Sequence, residues 1–160
     1  MEGAPSRNTF GVIDFGMQQI RMNEYITLES VEIIKVVRKG VPALAVDDLA
    51  RGMGVSTTWL ITRMGWPVAA VERKIRARSA LSKSAGGQIF SVIQLISQVQ
   101  RMVNESGTPE DFDAAAWLDN WLAVPNRALG GVSPGEYMDT AAGFSLLSDT
   151  LARMQSGAYV

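Results

Sequence analysis

Apolar positions along this chain recur mostly at helical spacing, in short blocks divided by glycine and proline. Residues 27–39 read as a helix, with Thr27 as a possible cap and Gly40 beyond the end, although their Val and Ile content also suits a strand. Pro42 resets the chain, and residues 46–53 follow as a short helix that turns Leu49, Ala50 and Met53 inward. Gly54 ends it, Ser56 caps a helix reaching residue 64, and Pro67 opens another that runs to about residue 78. Short helices separated by tight glycine turns make a compact multi-helix unit. From Leu81 a long helix runs to about residue 103. Its face of Ile89, Val92, Ile93, Ile96, Val99 and Val103 is widened by Phe90, Leu95 and Met102, which suits a helix gripped from several sides. Gly86 and Gly87 are expected to weaken its first turns by about 1 kcal/mol each relative to alanine.

Residues 104–107 form a joint, after which Thr108-Pro109-Glu110-Asp111 is expected to cap a helix through Leu122. Beyond a loop holding Pro125, Gly130 and Gly131, Ser133-Pro134-Gly135-Glu136 has the form of a capping box and predicts a short helix. Asp139-Thr140 offers a new cap. Phe144, Leu147, Leu151 and Met154 then share one face of a final helix, which Gly157 closes. At the other end, residues 1–9 are polar and expected to be mobile, whereas Phe10, Val12, Ile13, Phe15 and Ile20 are apolar enough to pack on the body or on a second subunit.

Composition narrows the function. With 47% hydrophobic and 19% charged residues the chain is ordinary for a soluble globular protein, and no apolar run is long enough to span a membrane. No basic segment followed by an apolar run opens the sequence, so no secretion signal is expected. The absence of cysteine excludes disulfides and thiolate metal sites and fits a cytoplasmic location. The absence of histidine removes the commonest general base and the commonest transition-metal ligand, which argues against an enzyme. Glu110, Asp111 and Asp113 are better read as acids favoured at a helix N-terminus than as a metal cluster, and no cofactor is implied. The glycine pairs lack the strand and the Gly-Lys-Ser/Thr of a phosphate loop. Trp117 and Trp121, one turn apart, read as core or interface in preference to a ligand-stacking pair.

Net charge is only −1, but it is unevenly spread. Residues 61–85 carry six basic residues against Glu72 alone, whereas residues 105–160 carry eight acids against Arg127 and Arg153. One part is thus suited to a polyanion and the other to a different partner. The middle of the chain has the layout of a helix-turn-helix in either of two registers. One uses Gly54 as the turn and residues 56–64 as the reading helix, offering Ser56, Thr57, Thr58, Thr62 and Arg63. The other uses Gly65 as the turn and presents Arg73, Lys74, Arg76 and Arg78. Charge favours the second, since phosphate contacts supply most non-specific affinity for double-stranded DNA.

The wording of the C-terminal stretch is more specific than its physics. Trp117-Leu118, Pro125-Asn126, Ala128-Leu129-Gly130-Gly131, Pro134, Asp139-Thr140, Gly143 and Gly157, in that order, resemble the toxin-binding domain of the Xre/MbcA/ParS antitoxins. Gly40-Val41-Pro42, Leu49-Ala50, Gly54-Val55-Ser56, Gly65, the basic helix and Leu81 are similar, more loosely, to the Xre-like helix-turn-helix that precedes it in that family. Trp66-Pro67 and Ala85-Gly86-Gly87-Gln88 depart from the family pattern, which leaves the operator sequence open.

The resemblance implies an all-α protein with an extension at residues 1–26, a DNA-binding domain at 27–104 and a toxin-binding domain at 105–160. It implies a type II antitoxin that neutralises a RES-domain toxin, a class that consumes NAD or transfers ADP-ribose, and that represses its own operator as a homodimer or larger assembly. In this family the extreme C-terminus approaches the toxin's active-site cleft, which points to Arg153, Gln155, Ser156, Gly157, Ala158, Tyr159 and Val160. A tail ending in Tyr and Val with a free carboxylate is then expected to occlude a nucleotide cleft. The competing reading is a helix-turn-helix regulator without a toxin, whose C-terminal helices serve only to dimerise.

Overall fold

Helix boundaries follow the caps. The computed structural model describes residues 12–14, 19–21, 30–107 and 110–157. Its body is all helical: α1 (Ser30–Lys39), α2 (Leu44–Met53), α3 (Thr57–Arg63), α4 (Val68–Arg76), α5 (Lys83–Glu105), α6 (Ala114–Ala123) and α7 (Ala141–Ser156). Before α1, β1 (Val12–Asp14) and β2 (Gln19–Arg21) pair antiparallel with Ile13 opposite Ile20, and the backbone of β1 lies beside α2. The strand alternative for residues 27–39 is thus settled as helix from Ser30 onward. Thr27 lies outside the described residues, as do most of residues 1–26.

Three caps form as the sequence leads one to expect. Ser56 Oγ accepts from the Trp59 amide at 3.0 Å, Thr140 Oγ1 accepts from the Gly143 amide at 3.0 Å, and Gly157 closes α7 at φ +69°. Two do not. The helix expected from residue 108 begins at Ala114, because Asp113 is the residue whose carboxylate reaches a helix amide, that of Ala116 at 3.0 Å. Phe112 and Trp117, both partly buried, occupy the two positions that a hydrophobic staple joins. The capping box at residues 133–136 does not close either, and Pro134–Tyr137 is a single 3-10 turn. Ser133 Oγ instead donates to the Ala123 carbonyl at 3.3 Å, and Glu136 points away to Arg63.

α5 is the spine. Ile89, Phe90, Val92, Ile93, Leu95, Ile96 and Val99 are buried along it, and α7, α6, α1 and α2 all pack on it. Each such side chain contributes roughly 2 kcal/mol on leaving water, so this face dominates the core. One continuous cluster of buried residues runs from Val41 to Leu151 and joins both halves of the chain. Gly86, expected only to weaken α5, has a packing role: a Cβ there would sit 2.8 Å from Val41 Cγ2. Gly143 is still more constrained, since a Cβ would fall 1.8 Å from the Tyr137 carbonyl oxygen.

Candidate functional site

The basic run of the sequence becomes the outer face of α4 and the turn behind it. Val71 is buried and Val68 and Ile75 are partly buried against the core, so Arg73, Lys74 and Arg76 are left exposed on the other side. Arg78 is exposed just past the helix, at φ +52°. None of the four forms an ion pair with a described residue. The Ser79 amide donates to the Lys74 carbonyl at 3.0 Å, a Schellman-type closure with an arginine at the left-handed position where glycine is usual.

The alternative reading helix, α3, is differently disposed. Thr57 Oγ1 donates to Asp47 at 2.6 Å and Thr62 Oγ1 to the Thr58 carbonyl at 2.8 Å. Ser56, Thr58 and Thr62 are exposed. Arg63 is not free: its guanidinium lies 5.5 Å from the Trp59 ring centre and 2.7 Å from the Glu136 carboxylate.

That Arg63–Glu136 pair is one of several contacts tying the α3–α4 turn to the C-terminal part. A Cβ on Gly65 would lie 3.0 Å from Asp139 Cβ. Trp66 Nε1 donates to Gln88 Oε1 at 2.8 Å, and Gln88 Nε2 in turn donates to the carbonyls of Met64 at 3.2 Å and Met138 at 3.4 Å. Trp66 and Gln88 belong to the two stretches that depart from the family pattern, and they are partners. Sequence reasoning saw both and paired neither. The available signal was a glutamine among the small and apolar residues of 84–90 in the early turns of α5.

In the C-terminal part, Trp117 and Trp121 stack on each other with ring centres 6.3 Å apart and planes 12° from parallel. The Trp121 indole N–H is buried without a partner among the described residues. Asp119, between them in sequence, has its carboxyl pushed above the ordinary value by burial. The following loop is closed by its own hydrogen bonds. Asn126 Oδ1 accepts from the Ala128 amide at 2.9 Å, and its backbone pairs with Val132 and Gly131. Val124 and Val132 are exposed on it, at 60% and 39%.

Past the buried Phe144, Leu147 and Leu151, the last turn of α7 presents Arg153, Gln155 and Ser156 to solvent, with Gly157 behind them. Gln155 donates to the Glu105 carboxylate, which ties this end of α7 to the end of α5. Ala158, Tyr159 and Val160 lie outside the described residues. An open groove of about 400 Å³ between α5 and α7 is lined by Ser91, Gln94, Gln98, Phe144, Ser148 and Asp149 among others, with one titratable group in it. Among the described residues, no three acids cluster as metal ligands would, and no helix is long and apolar enough to cross a membrane.

Comparison with known proteins matches residues 111–157, from the turn before α6 to the end of α7, to the Antitoxin Xre/MbcA/ParS C-terminal toxin-binding domain. A Sphingobium sp. (strain YBL2) protein named Prs ADP-ribosylating antitoxin is 34% identical over 129 residues, covering 81% of each chain.

Proposed function

The chain belongs to the Xre/MbcA/ParS antitoxin family, and from that membership we propose that its partner toxin is built on a RES domain and that the end of α7 blocks the toxin's active site. That it is an antitoxin with a toxin as partner follows from the family; the identity of the toxin and the mode of inhibition are the proposal. The relative's name couples the antitoxin to ADP-ribosylation, which favours ADP-ribose transfer over plain NAD consumption as the toxin's chemistry. On this reading the chain is an inhibitor with neither a reaction nor a cofactor of its own. It works in the cytoplasm, where toxin and operator meet.

The observation that carries the reading is the exposed last turn of α7. Arg153, Gln155 and Ser156 are exposed on a helix anchored by Phe144, Leu147 and Leu151, with Gln155 held by Glu105. A helix that is already formed delivers Arg153, Gln155 and Ser156 to a cleft without ordering a loop, which lowers the entropic cost of binding. The aromatic ring of Tyr159 is of a size to fill a nucleotide-binding cleft.

The same chain, on this proposal, represses its own operator as a homodimer on two half-sites, with α4 meeting the DNA. The exposed cations of α4 support that register, as does the engagement of Arg63 by Glu136. Co-expression with the adjacent reading frame, pull-down and an assay of NAD loss test the toxin half. A stable complex is expected, with NAD lost only when this chain is absent; no complex and no toxicity would leave a DNA-binding regulator. Alanine at Arg73, Lys74, Arg76 and Arg78 is expected to abolish operator binding. Retained affinity would move the reader to Thr58 and Thr62 on α3.

A further inference from the structure

Three cations outside the α4 face stand beside it for a reason the chain path makes plain. Residues 40–43 and 79–82 run antiparallel: Pro42 bridges Ala80, the Leu81 amide donates to the Val41 carbonyl at 2.8 Å, and the Ala43 amide donates to the Ser79 carbonyl at 2.9 Å. A Cβ on Gly40 would lie 3.2 Å from Ala80 Cβ, so the two segments touch. At one end of this short ribbon the chain delivers Lys39, with Arg38 before it, and Lys83. At the other end it delivers Arg78 and Arg76. All five side chains are exposed. Residues 79–82 lie between Arg78 and Lys83, so the two ends are at most roughly 17 Å apart along the backbone.

Among the described residues no acid forms an ion pair with this edge. The ion pairs seen among the described residues use other cations: Lys35 with Glu32, Arg51 with Asp48 and Arg63 with Glu136. No acid occurs between Glu72 and Glu105 in the sequence. Basic residues in a last helical turn are often explained by the helix dipole, and α1 and α4 both end here. Each helix C-terminus is worth about −0.5 charge, however, and the N-terminus of α5 returns about +0.5, so the dipoles offset only a small part of five positive charges.

The geometry points to Arg38, Lys39 and Lys83 as a phosphate-backbone clamp for duplex DNA, extending the α4 face along a basic edge. This rests on the operator-binding proposal and adds to it residues that fix affinity and register without reading bases. Each strand carries a phosphate every ~3.4 Å of helix axis, so an edge of this length meets more than one.

The test is fluorescence anisotropy of the full-length chain on two duplexes of equal length, one from its own upstream region and one scrambled, between about 0.05 and 0.2 M salt. The R38A/K39A/K83A variant is expected to bind both duplexes about tenfold more weakly, and its salt slope is expected to flatten by ~0.9 for each contact removed. Circular dichroism should show an unchanged melt, since all three side chains are exposed, and the K39R/K83R variant should bind as the parent does. Unchanged affinity and slope on an operator that the parent binds would overturn the clamp while leaving the α4 reading intact. A loss confined to the upstream duplex would show base reading and also overturn it. A parent chain that binds neither duplex, or prefers single-stranded RNA, would overturn both.

Discussion

Arg78 is the residue whose conformation and chemistry pull in opposite directions. It occupies a left-handed backbone position at φ +52°, which costs an L-residue about 1 kcal/mol that glycine would not incur. Arg78→Gly is therefore expected to raise the thermal midpoint while weakening duplex binding. A fall in stability would show that Arg78 has a structural role instead. Gly143 is the converse case. A Cβ there would fall 1.8 Å from the Tyr137 carbonyl, so Gly143→Ala must move the turn before α7, and chemical denaturation should show a loss of about 2–4 kcal/mol.

Asp119 adds a pH signature. Burial raises its folded-state pKa above the ordinary 3.8, so the folded chain holds its proton more readily than the unfolded one. Its contribution to stability is therefore favourable at low pH and is lost as pH rises through the folded value. Asp119→Asn should stabilise the chain at neutral pH and have little effect in acid, which melts at the two pH values would check. Residue by residue, the caps at Ser56 and Thr140 were legible, whereas that of α5, made by Ser82, was not. The cap before α6 was not, because Glu110, Asp111 and Asp113 are chemically alike in sequence and only the backbone path selects Asp113.

At the level of elements, the helices were legible and their contacts were not. The long apolar face announced α5 as a central helix, and helical spacing marked the other helices of the body to within a few residues, apart from the start of α6. Spacing carries no information on which helix meets which. Thus Arg63 and Glu136, 73 positions apart, looked like a DNA contact and a capping-box acid until the fold brought them to 2.7 Å. The same holds for Trp66 and Gln88. Each departs from the family pattern alone, and together they make a hydrogen bond that also reaches the Met64 and Met138 carbonyls. A double-mutant cycle with Trp66→Phe and Gln88→Leu should accordingly show coupling of about 1 kcal/mol, because removing either partner leaves the other unsatisfied. Additive losses would mean that the pair does not act as a unit.

Taken whole, the molecule has one core serving two proposed tasks. The family profile covers residues 111–157, yet α6 and α7 are packed on α5, which lies before that span and also supports α1 and α2. We propose that the boundary near residue 104 divides function and not folding. What remained illegible in the candidate site is the orientation of the α7 end relative to the basic edge, since that depends on how α5 holds both. The central claim is that the end of α7 and the residues after it silence the toxin. The most direct measurement titrates the full-length chain, and a chain ending at Ser156, against the purified toxin while following NAD loss. The full-length chain should stop turnover at stoichiometric addition, whereas the shortened one should leave most of it running. Equal inhibition by the two would contradict the account and move the inhibitory contact elsewhere on the 111–157 module.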